Sequence, residues 1–69
     1  MDHYEIANLK DRLSRIEEGR EIAITFYAEL TKDEKNRINT IMALHDMTFS
    51  FTLNRQTADG FEYDVKRIS

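Results

Sequence analysis

Apolar residues recur at helical spacing near the start of the chain. The four residues of this stripe are Ile6, Leu9, Leu13 and Ile16. Their spacings of three, four and three place them on one side of a helix. Asp2 and Glu5 form a capping-box pattern before the stripe, and Gly19 stands where a helix ends in a left-handed residue. The pattern predicts a helix over residues 3–18, with its stripe packed on the same chain.

The period of the pattern changes to two after Gly19. Apolar side chains occupy alternate positions from Ile22 to Leu30, and the segment is rich in β-branched and aromatic residues. This alternation predicts a first strand over residues 20–30.

Residues 31–46 support two interpretations. Thr31 and Glu34 form a capping-box pattern, and Ile38 and Met42 would share one face of a helix. In the other interpretation a polar turn precedes a strand over residues 37–45. A turn at Asp46-Met47 would then match the apolar residues of this strand with those of the next one. The match in register favours the strand, and the helix is the alternative.

The last third of the chain predicts a β-hairpin with strands over residues 48–57 and 61–68. A three-residue loop, residues 58–60, with Gly60 in a left-handed conformation, sets Leu53 opposite Val65 and Arg55 opposite Tyr63. This register separates an apolar face from a polar one.

The elements together predict one α+β domain over residues 1–69. The favoured fold is an N-terminal helix followed by a strongly bent antiparallel sheet, as in an Sm-like or Src-homology-3-like small barrel. If residues 32–45 are helical instead, the order becomes α-β-α-β-β, as in a winged-helix protein. Residues 31–45 would then be the recognition helix and residues 56–60 the wing.

Composition restricts the class of protein. The chain has 69 residues, of which 41% are hydrophobic and 33% charged, with a net charge of −3 and no cysteine. A chain this short forms one small domain, and without cysteine it forms neither disulfides nor thiolate metal sites. The apolar runs are too short to span a bilayer, and the start lacks the pattern of a signal peptide. We expect a cytoplasmic protein without membrane contact.

Candidate catalytic residues are few. His3 and His45 have no second histidine or cysteine at ligand spacing, which disfavours a metal site. The chain has two glycines, too few for a glycine-rich phosphate loop. We expect no enzyme activity and no cofactor.

Aromatic and basic residues in the strands suggest a binding role. The aromatic residues could stack on single-stranded bases or form the core, and the core is favoured; they are Phe49, Phe51, Phe61 and Tyr63. The net negative charge disfavours non-specific binding to nucleic acid. Open strand edges could join copies of the chain into a homo-oligomer. The candidate interaction surface comprises Tyr27, Ile41, Arg55, Lys66 and Arg67.

The order of these segments resembles the YolD-like family. The similarity lies in the first helix, residues 18–27, residues 36–46, residues 49–53 and the closing residues 61–68. The closing Arg67-Ile68 is also similar to the end of WYL domains. The resemblance implies a small Sm-like sheet behind a helix. It also implies a partner-binding role associated with translesion polymerases and with the DNA-damage biology of phages and mobile elements.

These observations predict a small non-catalytic protein-interaction module that binds a protein partner. Two alternatives remain open: a nucleic-acid-binding transcriptional regulator, and a phage-type inhibitor of a host protein.

Overall fold

A computed structural model describes residues 3–69, with side chains from Asn8 onward. In chain order its elements are α1 (His3–Leu13), β1 (Glu21–Phe26), α2 (Lys32–Ala43), β2 (Phe49–Thr57) and β3 (Gly60–Arg67). The strands form an antiparallel sheet in the order β1-β3-β2. The prediction of a small α+β domain that begins with a helix and ends in antiparallel strands is confirmed.

The helices and one face of the sheet enclose a single core. Its buried residues are Leu9, Leu13, Ile16, Ile24, Phe26, Leu30, Ile38, Met42, Phe49, Tyr63 and Val65. The strand residues among them share one face, because side chains alternate along each strand and Ile24 lies opposite Tyr63. The opposite face, called the outer face below, has no buried residue among those described.

The first helix is shorter than the predicted range 3–18. After Leu13 the chain continues in tight turns, with Ile16 N donating to Leu13 O at 3.0 Å. Ile16 still reaches the core, 5% exposed, although it lies outside the helix. The predicted capping box at Asp2 and Glu5, and the side chain of Ile6, lie outside the part of the chain whose side chains are described.

The first strand ends at Phe26 rather than at Leu30. The predicted alternation holds within the strand, where Ile24 and Phe26 are buried. Leu30 is also buried but belongs to the connection between β1 and α2, where its N–H donates to the Tyr63 hydroxyl at 2.9 Å. This hydrogen bond holds the connection against the core after β1 ends.

The prediction of a strand over residues 37–45 is wrong, because these residues lie in α2 and the turn that follows it. Both halves of the Thr31 and Glu34 capping box are present, and they satisfy backbone N–H groups that the first helical turn leaves unpaired. Ile38 and Met42, four residues apart, are buried on one face. Asp46, at φ 58°, then turns the chain towards β2 without forming a hairpin.

The last hairpin exists, but its predicted register is wrong. The structure pairs Thr57 with Gly60 across a two-residue turn and sets Leu53 opposite Tyr63. The extra residue lies within β2, where the register shifts between Leu53 and Arg55, and not in the loop. The apolar face survives because the pairs before the shift differ from the predicted ones by two residues, which leaves each side chain on its expected face.

The small barrel is not confirmed. The described residues form an open sheet of three strands in which β1 and β2 are the edges. Helix α2 takes the place of the fourth strand, so the chain has the α-β-α-β-β order of the alternative interpretation.

Candidate protein-interaction site

The five predicted surface residues do not form one site. Arg55 and Lys66 share the outer face, where Arg55 Nε lies 3.5 Å from a carboxylate oxygen of Glu62. Arg67 is half-buried and donates to the Ile16 carbonyl at 3.0 Å, a contact that connects β3 to the turn after α1. Ile41 is half-buried beside α1. Tyr27 is 96% exposed, immediately after β1.

Strand β1 is an edge strand of the sheet that the described residues form. Arg67 N donates to Arg20 O, and hydrogen-bonded pairs alternate along an antiparallel ladder. The N–H and C=O groups of alternate residues from Ile22 therefore point to β3, and those of Glu21, Ala23 and Thr25 point away from the sheet. Among residues 8–69, whose side chains are described, no hydrogen bond joins these three residues to a segment other than β3. Three rungs of backbone donors and acceptors are open to a further strand.

A cleft of about 540 Å³ lies between this edge and α1. It is lined by Asn8, Leu9, Arg12, Ile24, Thr25, Phe26, Tyr27, Ala28, Leu30 and Glu34. Apolar residues from α1, β1 and the following connection make up much of the wall. Its volume lies within the range of about 300–1,000 Å³ that is typical of ligand pockets.

Two charged side chains line the cleft. Arg12 is exposed on α1 and has no ion pair with the described residues. Glu34 accepts a hydrogen bond from the N–H of Thr31 at 3.0 Å as part of the capping box. The Thr31 backbone N–H lowers the pKa of Glu34 because it stabilises the carboxylate; burial acts in the opposite direction, and the Thr31 hydroxyl contributes a further lowering. The carboxylate is therefore engaged in helix capping.

The other edge of the sheet is partly occupied. The side-chain amide of Asn39 donates to Phe49 O at 2.9 Å and accepts from Phe49 N at 2.8 Å. Phe49 begins β2, and these groups point away from β3. The register shift between Leu53 and Arg55 then distorts the edge further along. A regular strand would pair less well with β2 than with β1.

The aromatic residues of the strands form core contacts. Tyr63 is 1% exposed and meets Phe26 edge to face, with ring centroids 5.5 Å apart. Phe49 is buried, and Phe51 and Phe61 pack partly buried against the same core. The core interpretation of these residues is confirmed, so they offer no stacking platform.

The described residues contain no group of three or more His, Cys, Asp or Glu side chains arranged to hold a metal ion. Within the same residues, neither helix combines the length and the apolar character that crossing a membrane requires.

Sequence reasoning missed the main components of this site. Arg12, Ala23 and Asn39 carry no motif, and their roles depend on which strand lies at which edge. Of the residues that line the cleft, the sequence did single out Leu30, as the last apolar residue of the alternation that begins at Ile22.

Residues 3–69 form a small two-layer α+β domain in which the edge of β1 lies beside an apolar cleft. No family model, curated protein or solved structure matches the chain.

Proposed function

We propose that this chain is a small non-catalytic protein-interaction module that binds an extended segment of a partner protein along β1. The observation that carries the proposal is the edge of β1, where Glu21, Ala23 and Thr25 direct backbone groups away from the sheet and Thr25 also lines the cleft. In such strand addition, main-chain hydrogen bonds supply affinity and adjacent pockets supply specificity.

The contrast between the two edges supports this site over β2. An exposed strand edge invites pairing with other chains, and natural proteins commonly block edges that have no partner. The Asn39 amide and the irregular register act on β2 in this way. Nothing comparable covers β1 among the described residues, and the neighbouring cleft offers apolar surface to the incoming side chains.

A segment of another protein fits the cleft better than a second copy of the chain does. A copy pairing through its own β1 would bring inward-facing side chains that already pack in its own core, since Ile24 and Phe26 are 2% and 7% exposed. Those side chains cannot also fill the cleft. An extended segment that is not part of a sheet has its side chains free to do so.

The resemblance to the YolD-like family agrees with this proposal, because it implies a partner-binding role. A partner strand on β1 would also give the sheet four strands, the number that the sequence pattern predicts. An inhibitor of a host protein could use the same edge, so the proposal covers that alternative.

Nucleic-acid binding is a second candidate, favoured by the α-β-α-β-β order. Lys32, Asn36 and Arg37 are exposed on α2, which corresponds to the recognition helix of the winged-helix interpretation. The charge of α2 is nearly balanced, because Asp33 and Glu34 lie in its first turn. Steeply salt-dependent binding to duplex DNA that is lost on Arg37→Ala would support this candidate over the first.

A peptide-display selection on the full chain tests the proposal. The selected peptides are measured against the wild type, Ala23→Pro and Leu53→Pro. Proline removes an outward N–H in each variant, and such a position on an edge strand tolerates proline. We expect Ala23→Pro to weaken binding by about tenfold, the loss of one main-chain hydrogen bond. Leu53→Pro, the matched change on β2, should leave binding unchanged.

Peptides that bind Ala23→Pro as tightly as the wild type, or a selection that yields no peptide, would overturn the proposal. Sedimentation of the wild type and of Ala23→Pro, both without peptide, tests whether a second copy of the chain occupies the edge. A wild-type dimer that Ala23→Pro converts to a monomer would assign the edge to a second copy instead.

A further inference from the structure

We infer that the segment bound at β1 has apolar side chains at alternate positions and an acidic side chain, on the same side, that reaches Arg12. This inference rests on the proposed function and adds the chemical class of the ligand.

The alternation follows from the geometry of the edge. Side chains of an added strand point alternately to the two faces of the sheet, so every second one lies on the side covered by the helices. On that side the strand meets the cleft, whose apolar wall includes Leu9, Phe26 and Leu30. Apolar side chains at these alternate positions of the added strand would be buried against that wall.

The other side of the added strand lies on the outer face. Its neighbours there are the side chains of Glu21, Ala23 and Thr25, all exposed. Polar side chains suit these positions, and a basic one opposite Glu21 would pair with the carboxylate across the strands. The ligand is therefore amphipathic with a period of two.

The acidic position follows from the charges that line the cleft. The Glu34 carboxylate is engaged with Thr31, whereas Arg12 has no ion pair with residues of the described chain. A guanidinium beside an apolar wall favours a carboxylate, which it can hold through two parallel hydrogen bonds. The same group disfavours a lysine at that position of the ligand.

The test uses ten-residue peptides with both ends blocked, in which valine alternates with threonine. Two of them carry glutamate in place of the first or the last valine, so that both strand directions are sampled. Their controls replace the glutamate with glutamine, and a shuffled peptide of equal composition removes the alternation. Affinity is measured by titration against the wild type, Arg12→Gln and Arg15→Gln. Arg15 is the matched control because it pairs with Asp11 at 3.1 Å and does not line the cleft.

We expect the shuffled peptide to bind at least about tenfold more weakly than the alternating one, since its apolar side chains no longer face the cleft together. One glutamate peptide should bind the wild type and Arg15→Gln about tenfold more tightly than its glutamine control. Arg12→Gln should abolish that difference.

Two results overturn the inference and leave the proposed function standing. In the first, display-selected peptides bind in a manner that Ala23→Pro abolishes, but without alternation or acidic preference. In the second, the display-selected peptides bind to the β1 site, but none of the designed ten-residue peptides binds. If the designed peptides bind Ala23→Pro as tightly as the wild type, the β1 site itself is wrong and the proposed function fails with the inference.

Discussion

The side chain of Asn39 and the backbone of Phe49 form the pair of hydrogen bonds that a neighbouring strand would otherwise make. The amide nitrogen donates to the carbonyl at 2.9 Å, and the backbone N–H donates to the amide oxygen at 2.8 Å. Asn39, a residue of α2, thereby occupies the first hydrogen-bonding position on the edge of β2 that faces away from β3. Strand β1 has no such neighbour among the described residues, and this asymmetry is the basis for placing the partner there.

Replacing Asn39 with alanine should both destabilise the protein and open the β2 edge. Two partly buried backbone groups lose their partners, which costs roughly 1–3 kcal/mol. The free rung should also promote association that rises with protein concentration. Urea unfolding and sedimentation measure the two effects. Asn36→Ala, an exposed change on the same helix, should affect neither, and an Asn39→Ala protein as stable as the wild type would contradict the role of the amide.

Gly60 should resist substitution far more than Gly19. A Cβ at Gly60 would clash with the carbonyl oxygen of Phe26, and the φ of 145° at Gly60 is unfavourable for other residues. Gly19 also has a positive φ, 81°, but a Cβ there would meet nothing within 4 Å. We expect Gly19→Ala to cost roughly 1–2 kcal/mol and Gly60→Ala distinctly more. Equal thermal shifts for the two variants would contradict the close approach of β3 to β1.

The Tyr63 hydroxyl should be needed for stability. It accepts the N–H of Leu30 at 2.9 Å in a buried environment, so Tyr63→Phe leaves a buried donor without a partner. We expect a loss of roughly 1–3 kcal/mol in the free energy of unfolding. Tyr27→Phe removes the same hydroxyl from a side chain that is 96% exposed and should have no effect on unfolding. If both variants unfold at the wild-type urea concentration, the bond does not hold the connection in place.

The Glu34 carboxylate should make stability depend on pH in the acidic range. The Thr31 backbone N–H lowers the pKa of Glu34 below its ordinary value of 4.5. A lowered native pKa means that the stabilisation is fully present above the unfolded pKa and is lost as pH falls through the native pKa. Urea midpoints measured from about pH 7 to about pH 3 should therefore fall less steeply for Glu34→Gln than for the wild type. A Glu34→Gln protein whose urea midpoints fall with pH as steeply as those of the wild type would contradict this contribution of the carboxylate.

The coarse fold could be predicted where local pattern and tertiary packing agree. Ile24 and Phe26 alternate in the sequence and are buried together in β1. Residues 37–45 carried both patterns, and the capping box at Thr31 was the better guide because it satisfies backbone groups locally. The register argument failed because the apolar residues of that segment match a neighbouring strand about as well as they match a helix.

The candidate site could not be predicted from the sequence, since it depends on the order of strands in the sheet. Nothing local distinguishes Ala23, at a free edge, from a residue of a central strand. Arg55 is exposed, whereas the Arg67 guanidinium donates to the Ile16 carbonyl. Arg67 and Ile16 are 51 positions apart in the sequence, and neither residue stands in a motif that indicates the contact.

Amide hydrogen exchange on β1 tests the central proposal most directly. In the free protein, the amides of Ala23 and Thr25 should exchange rapidly because they point away from the sheet, and those of Ile24 and Phe26 should be protected by β3. On addition of a display-selected peptide, Ala23 and Thr25 should become protected while the amides of β2 stay unchanged. Protection that appears on β2 or α2 instead, with Ala23 and Thr25 still exchanging rapidly, would contradict strand addition at β1.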